Sequence, residues 1–228
     1  MAETEAAMNA GTGYTMGHIA LHYPEKDDGP VAARLLEIIG LRQTQVLPLA
    51  DGSNFYRFVV DDRHHDRGDG IIYLSQVPPA QKALHAAIRE ALAVDTDAEH
   101  AAVRDMREAM KADPEYSFHV GLLTHSLEEL EGLVSTLRDL AANDPALKGR
   151  LNIVINRPLP GDAEVDARLD ASPVFGGVTR HAYGRNGVQV FIETDLLVSG
   201  PLGDNMVLEI DYVFPNAASH ILSVVDLG

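Results

Sequence analysis

The sequence predicts an α+β fold assembled from two tandem βαβββ modules, and three observations carry that expectation. A strand-like stretch leading into an amphipathic helix occurs twice, as HIALHYPEKDDGPVAARLLEII and HVGLLTHSLEELEGLVSTLRDL, in step when His119 is laid on His18, an offset of 101 residues. Each helix is followed by three further strand-like runs bounded by turn signals. Between the copies, Ala-rich sequence of helical character replaces the strand alternation.

In the first copy Gly17 to Tyr23 alternates, with His18, Ala20 and His22 on one face and Ile19 and Leu21 on the other. Asp28 and Pro30 suit the N-cap and an early position of a helix whose Val31, Leu35, Ile38 and Ile39 form one apolar stripe, and Gly40 is its stop. Strands are expected near Arg42 to Leu49, Asn54 to Val60 and Gly70 to Val77, separated by ADGSN and DDRHHDRGDG. Pro78 and Pro79 end this unit. Helices are expected from about Ala80 to Ala93 and from about Asp97 to Ala112, the second opened by a capping box of Thr96 with Glu99. His85 and His100 read as solvent-facing helix residues.

The second copy has a strand in YSFHVGLLTH, a capping box of Ser126 with Glu129, the amphipathic helix LEELEGLVSTLRDLAA, and strands in RLNIVINR, GVQVFIETDLL and MVLEIDYVF, the last two joined by a PLGDN turn. The expected organisation is a disordered N-terminus at 1–13, a first module at 14–78, a helical connector at 79–113 and a second module at 114–228 with a long insert at 158–177. The insert mixes Pro, Gly and acids around Val165, Leu169, Val174 and Phe175. It reads as a lid or binding loop without a metal ligand, and the connector as a packed surface helix or dimer contact.

Composition narrows the function. With 18 Lys and Arg against 34 Asp and Glu the formal charge is −16, which repels phosphate backbones and anionic lipid, so neither nucleic acid nor membrane is an expected partner. No cysteine is present, which excludes disulfides, thiolate nucleophiles and Fe–S clusters and leaves His, carboxylate and amide as metal ligands. The opening MAETEAAMNAGTG lacks the basic and apolar regions of a signal peptide, and no apolar run approaches the ~20 residues that span a bilayer, so the expected location is the cytoplasm.

The stretches GHIAL at 17–21, FHVGL at 118–122 and TDLLVSGPLGDNMVLEI at 194–210 resemble the vicinal oxygen chelate superfamily, which includes glyoxalases, epimerases, bleomycin-resistance proteins and extradiol dioxygenases. The resemblance covers roughly residues 14–77 and 114–214, and the long connector and insert depart from compact members. It implies two βαβββ modules forming an open, cup-shaped mixed sheet around one divalent metal. Carried over by position, it implies His18, His119 and Glu209 as ligands, with Gln76 as a further candidate from the fourth strand of the first module.

Two imidazoles and one carboxylate leave open metal positions, an arrangement that suits Fe(II) oxygenases, although a metal so held can also act purely as a Lewis acid. Glu209 lies amid MVLEIDYVF, where an unpartnered carboxylate would cost of order 3–5 kcal/mol to desolvate. His64 and His65 could supply an acid–base group beside the metal or simply form a polar hairpin tip. His22 and His125 could line the mouth of the cup, with Tyr183 and Tyr212 as lesser candidates, whereas His181 and His220 read as surface residues. The leading expectation is an Fe(II) extradiol-type ring-cleaving dioxygenase on a catechol-like small molecule, with His64, His65 and His22 as candidate catalytic groups. One alternative is a glyoxalase- or epimerase-like isomerase or lyase using Zn, Ni, Co or Mn, and another is a metal-free binding protein of the resistance type. A homodimer is the expected assembly.

Overall fold

The computed structural model describes residues 15–182 and 186–215. Strands β1 (His18–Tyr23), β2 (Arg42–Pro48), β3 (Asn54–Val59) and β4 (Ile71–Gln76) with helix α1 (Asp28–Ile38) make the first unit. Helices α2 (Pro79–Ala91) and α3 (Ala101–Ala112) follow. The second unit comprises β5 (His119–Leu123), α4 (Leu127–Asn143), β6 (Leu151–Asn156), α5 (Ala163–Asp170), β7 (Gly187–Ser199) and β8 (Asp204–Val213). The eight strands form one open sheet with the path β2-β3-β4-β1-β7-β8-β5, and β6 pairs off this path with the first part of β7. Within each unit the first strand pairs in parallel with the last, β1 with β4 and β5 with β8, while the remaining pairs are antiparallel. This is the predicted mixed sheet of two βαβββ units with a helical connector.

Local sequence explains the elements. Gly40, at φ +101°, ends the turn after α1, a conformation that L side chains rarely adopt. Ser126 caps α4 by accepting from Glu129 N at 3.1 Å, and Glu129 Oε2 accepts in return from His125 N. The Thr96 and Glu99 box does not open α3. Thr96 instead donates to Ala93 O and Glu99 accepts from Asp95 N, closing a turn, and α3 begins at Ala101 with His100 Nδ1 accepting from Ala102 N.

Alternation gives the sheet two sides. Leu21, Tyr23, Ile72 and Leu74 in the first unit, and Val190, Ile192, Leu208 and Ile210 in the second, are buried in one core with Leu35 and Leu36 of α1 and Leu130, Val134 and Leu137 of α4. The opposite side carries His18, His22 and Tyr73 in the first unit and Gln189, Phe191, Glu209 and Asp211 in the second. There α3 lies across the second unit, so that Arg107, Met110 and Lys111 share a cleft of about 480 Å³ with Asn152, Val154, Phe191, Glu193, Asn205 and Val207. The units meet where His22 pairs with Val198, beyond a register shift in β7 between Thr194 and Val198.

The insert behaves differently from the expected lid. It folds α5, capped by Asp162, which accepts from Glu164 N and Val165 N. Its Val165, Leu169, Val174 and Phe175 join the core shared with α4, on the helix-bearing side of the sheet and away from the cleft. Burying four apolar side chains there outweighs any role over the open side. Arg168 clamps α5 to α4 through both oxygens of Glu131 and one of Glu128, and Ser172 donates to Glu131. The Arg168 guanidinium holds the Glu131 carboxyl below the ordinary glutamate range. A depressed carboxylate stabilises the fold above its unfolded value near 4.3, and that contribution is lost as pH falls through the lower folded value. Arg168→Met is therefore expected to flatten the acid limb of a stability–pH profile by no more than about 1 kcal/mol, the pair being partly in water. Chemical denaturation at pH 3 to 6 measures this, and an unchanged acid limb would show that the clamp contributes nothing.

Candidate metal centre

The open side of the second unit gathers acids around one imidazole. Glu209 on β8 stands opposite Phe191 on β7 and Gly121 on β5, and Asp211 follows on the same side. His119 opens β5. Its Nδ1 lies 2.8 Å from Ser117 O, which can only accept, so the proton sits on Nδ1 and Nε2 is turned toward the acids. Glu115 comes from the 3₁₀ turn Pro114–Tyr116 after α3, a turn capped by Asp113, which accepts from Glu115 N.

From His119 Nε2, Glu209 Oε2 is 3.2 Å away and Glu115 Oε2 is 3.6 Å away. Among the described residues, donor atoms of Glu115, His119 and Glu209 all lie within 4.8 Å of one another. Gln189 Nε2 donates to the remaining oxygens, Glu115 Oε1 and Glu209 Oε1, at 2.7 Å each. Glu209 is 6% exposed and Asp211 8%, so both carboxyls are out of water. Burial, then the neighbouring Glu115 charge, pushes the Glu209 carboxyl up against the opposing pull of His119. Burial and the adjacent Glu209 push Asp211 far above the usual carboxylate range.

Three carboxyls beside one imidazole cannot all ionise here without more negative charge than the imidazole can balance, and among the described residues Asp211 Oδ1 has no hydrogen-bond partner. A divalent cation fits this set. Ligand bonds near 2 Å bring neighbouring donor atoms about 3 Å apart, so the 3.2 and 3.6 Å separations from His119 Nε2 need only a small contraction, and the compensating charge would make burial of the acids favourable. Glu115, His119 and Glu209 are the residues that would hold it.

The sequence-based candidates divide. His119 and Glu209 are brought together, and His18 is not brought to them. From Glu209 the path runs along β8 to Asn205, across to Val198 and His22, then along β1 to His18, eight residues of strand in one direction, on the order of 20 Å or more. His18 is exposed and packs against the Tyr73 ring with centroids 5.1 Å apart. Gln76 shares the helix-bearing side of β4 with Leu74, opposite to His18, and donates to Pro24 O. His22 Nδ1 meets Ser75 Oγ at 3.2 Å. His64 ends the 3₁₀ turn between β3 and β4, and His65, in the same loop, pairs with Asp66 at 2.9 Å, both in the first unit. His125 is exposed beside the α4 cap, and Tyr212 packs on Phe214. His181 is exposed, His85 lies against Gly203 in the β7–β8 turn, and Tyr183 and His220 fall outside the described residues. Glu115, Gln189 and Asp211 were missed.

Comparison with known proteins finds solved structures of low similarity. No protein-family profile matches the chain, and no curated protein matches its sequence. Among solved structures, TnmS3, an antibiotic-binding protein from Streptomyces sp. CB03234, is similar at 9% identity and a TM-score of 0.37, over 89% of this chain and 98% of that one. A glyoxalase superfamily protein from Ralstonia eutropha JMP134 is similar at 12% identity and a TM-score of 0.22, over 92% and 76% of the two chains. A fusion of a xylose isomerase-like TIM barrel with a 4-hydroxyphenylpyruvate dioxygenase is similar at 11% identity and a TM-score of 0.21, over 92% of this chain and 28% of that one. Among the described residues, no helix is long and apolar enough to cross a membrane.

Proposed function

We propose that this protein is a divalent-metal-dependent enzyme acting on a small molecule, with the metal held by Glu115, His119 and Glu209. The observation that carries this reading is the convergence of three donor atoms in a partly buried patch rich in acid, Glu209 buried and Glu115 and His119 half-buried, next to a 480 Å³ cleft that shares the Phe191 wall. One imidazole with carboxylates is an oxygen-rich set that suits Mg, Mn or Zn. The two-imidazole site of an Fe(II) dioxygenase would need His18, which lies elsewhere in this chain. Lewis-acid isomerase or lyase chemistry therefore ranks above ring cleavage. When bound, the metal would polarise a substrate carbonyl and stabilise an enediolate. The chain's own residues would take the apolar body of the substrate between Met110, Val154, Phe191 and Val207, and meet its polar end with Asn205 and Lys111.

The test is metal content after anaerobic purification, followed by parallel assays of solvent-proton exchange on hydroxy-carbonyl and thioester compounds and of O₂ uptake with catechols. About one equivalent of metal, with proton exchange that needs no O₂, is the expected result. O₂ uptake that depends on Fe(II) and a catechol would restore the dioxygenase reading. Protein that retains no metal and is not stabilised by any would leave only metal-free binding.

A further inference from the structure

We infer that Gln189 is a positioning residue for this centre: its amide, oriented by a relay from Arg180 through Asn156, holds the Glu115 and Glu209 carboxylates so that their second oxygens meet beside His119 Nε2. The inference rests on the metal reading and concerns how the chain prepares the site. A carboxamide has two N–H donors on one nitrogen, and Gln189 Nε2 is 2.7 Å from Glu115 Oε1 and 2.7 Å from Glu209 Oε1, one donor for each. The oxygens left over, Glu115 Oε2 and Glu209 Oε2, are the two that face His119 Nε2.

The direction of the amide is set from outside the cluster. Arg180 Nε, which can only donate, lies 3.2 Å from Asn156 Oδ1. That turns Asn156 Nδ2 toward Gln189 Oε1, at 3.5 Å, and so commits Gln189 Nε2 to the carboxylates. The flipped amide would set a carbonyl oxygen 2.7 Å from two carboxylate oxygens, an all-acceptor contact. Gln189 is 2% exposed and Asn156 3%, so water cannot take over either role. Arg180 is exposed and also donates to Ala112 O at the end of α3, which ties the relay to the helix that precedes Glu115. Fixing two flexible carboxylates before a cation arrives lowers the ordering cost of binding it, as partners of metal ligands generally do.

The experiment compares wild type with Gln189→Met, Gln189→Glu, Arg180→Met and Arg180→Lys in the full chain. Mn(II) affinity is read from the electron paramagnetic resonance of free Mn(II), ligand geometry from the Co(II) d–d absorption, and fold from circular dichroism and melting of metal-free protein. Both Gln189 variants are expected to lose roughly 10- to 100-fold in Mn(II) affinity and to alter the Co(II) spectrum. Arg180→Met should lose less, in the same direction, while Arg180→Lys, which keeps a donor, stays near wild type. Gln189→Met with wild-type affinity and spectrum would overturn the clamp and leave the metal reading standing. Wild type that binds neither Mn(II) nor Co(II) would remove the metal reading and the clamp together. If Gln189→Met does not fold, equal Mn(II) affinity of the two Arg180 variants overturns the relay, and a gap between them supports it.

Discussion

Glu209→Gln is expected to erase the stabilisation that a divalent metal confers on this protein while leaving its metal-free fold intact. At a metal concentration of 100 times Kd, binding to the folded state alone adds ~2.7 kcal/mol. For a chain of this length each kcal/mol moves the melting temperature by roughly 2–4 °C, so wild type should gain somewhere near 5–10 °C with the right metal. The glutamine keeps the shape of Glu209 and an oxygen to accept from Gln189, but it removes the charge and the oxygen that face His119 Nε2. A neutral amide beside one imidazole and Glu115 is a poor divalent site, and loss of affinity should exceed about 100-fold, the upper end for a group that only supports a ligand. His119→Ala should behave alike, while His18→Ala, on the far part of β1, should keep the full metal shift. Calorimetric melting with and without Mn, Zn, Mg and Fe(II) decides it. An undiminished shift in Glu209→Gln, or its disappearance in His18→Ala, would show that the ligand set is wrong.

The elements were legible because most follow from local pattern. The strand alternations and the Ser126 cap are local chemistry, and the structure places β2 to β4 and β6 to β8 within a few residues of the expected bounds. His119 was legible through the repeat and the resemblance, and Glu209 also as a carboxylate on an otherwise apolar strand. The same desolvation argument applies to Gln189 in GVQVFIET and Asp211 in MVLEIDYVF, so the signal for both is present in the strand pattern. Glu115 was hidden, because its position depends on a 3₁₀ turn after α3 that no period announces. His18 illustrates a different limit. Equivalence under the 101-residue offset puts His18 and His119 at matching places in their own units, yet β1 joins the second unit through β7 and not through β5, and only tertiary structure tells the two arrangements apart. The helix in the insert has its own marks, Asp162 as cap and Val165 and Leu169 four apart, but the Pro and Gly on either side are also loop signals and mask it.

Asp211→Asn is expected to make the metal-free protein more stable and the metal-bound protein less so, the signature of a residue kept for binding rather than for the fold. Asp211 is buried beside Glu209, with Glu115 close enough to add its own repulsion, and among the described residues its Oδ1 has no hydrogen-bond partner. Near neutral pH the unfolded chain holds this carboxyl ionised, so folding must either bury its charge or take up a proton. Either route costs free energy. Asparagine matches its volume, carries no charge and can donate to Glu209, so the metal-free fold should gain about 1–3 kcal/mol, within the range seen when buried charges are replaced. In a chain of this length that raises melting by a few degrees, at roughly 2–4 °C per kcal/mol. With metal present the sign reverses, since the cation loses a nearby negative charge that helps to balance its own, and metal affinity should fall even though Asp211 is not among the three converging donors. Melting curves of wild type and Asp211→Asn, each with chelator and with saturating Mn(II), separate the two effects. A variant destabilised to the same degree in both conditions would mean that Asp211 is simply part of the packing, and the excess-acid argument for a cation would lose its strongest support.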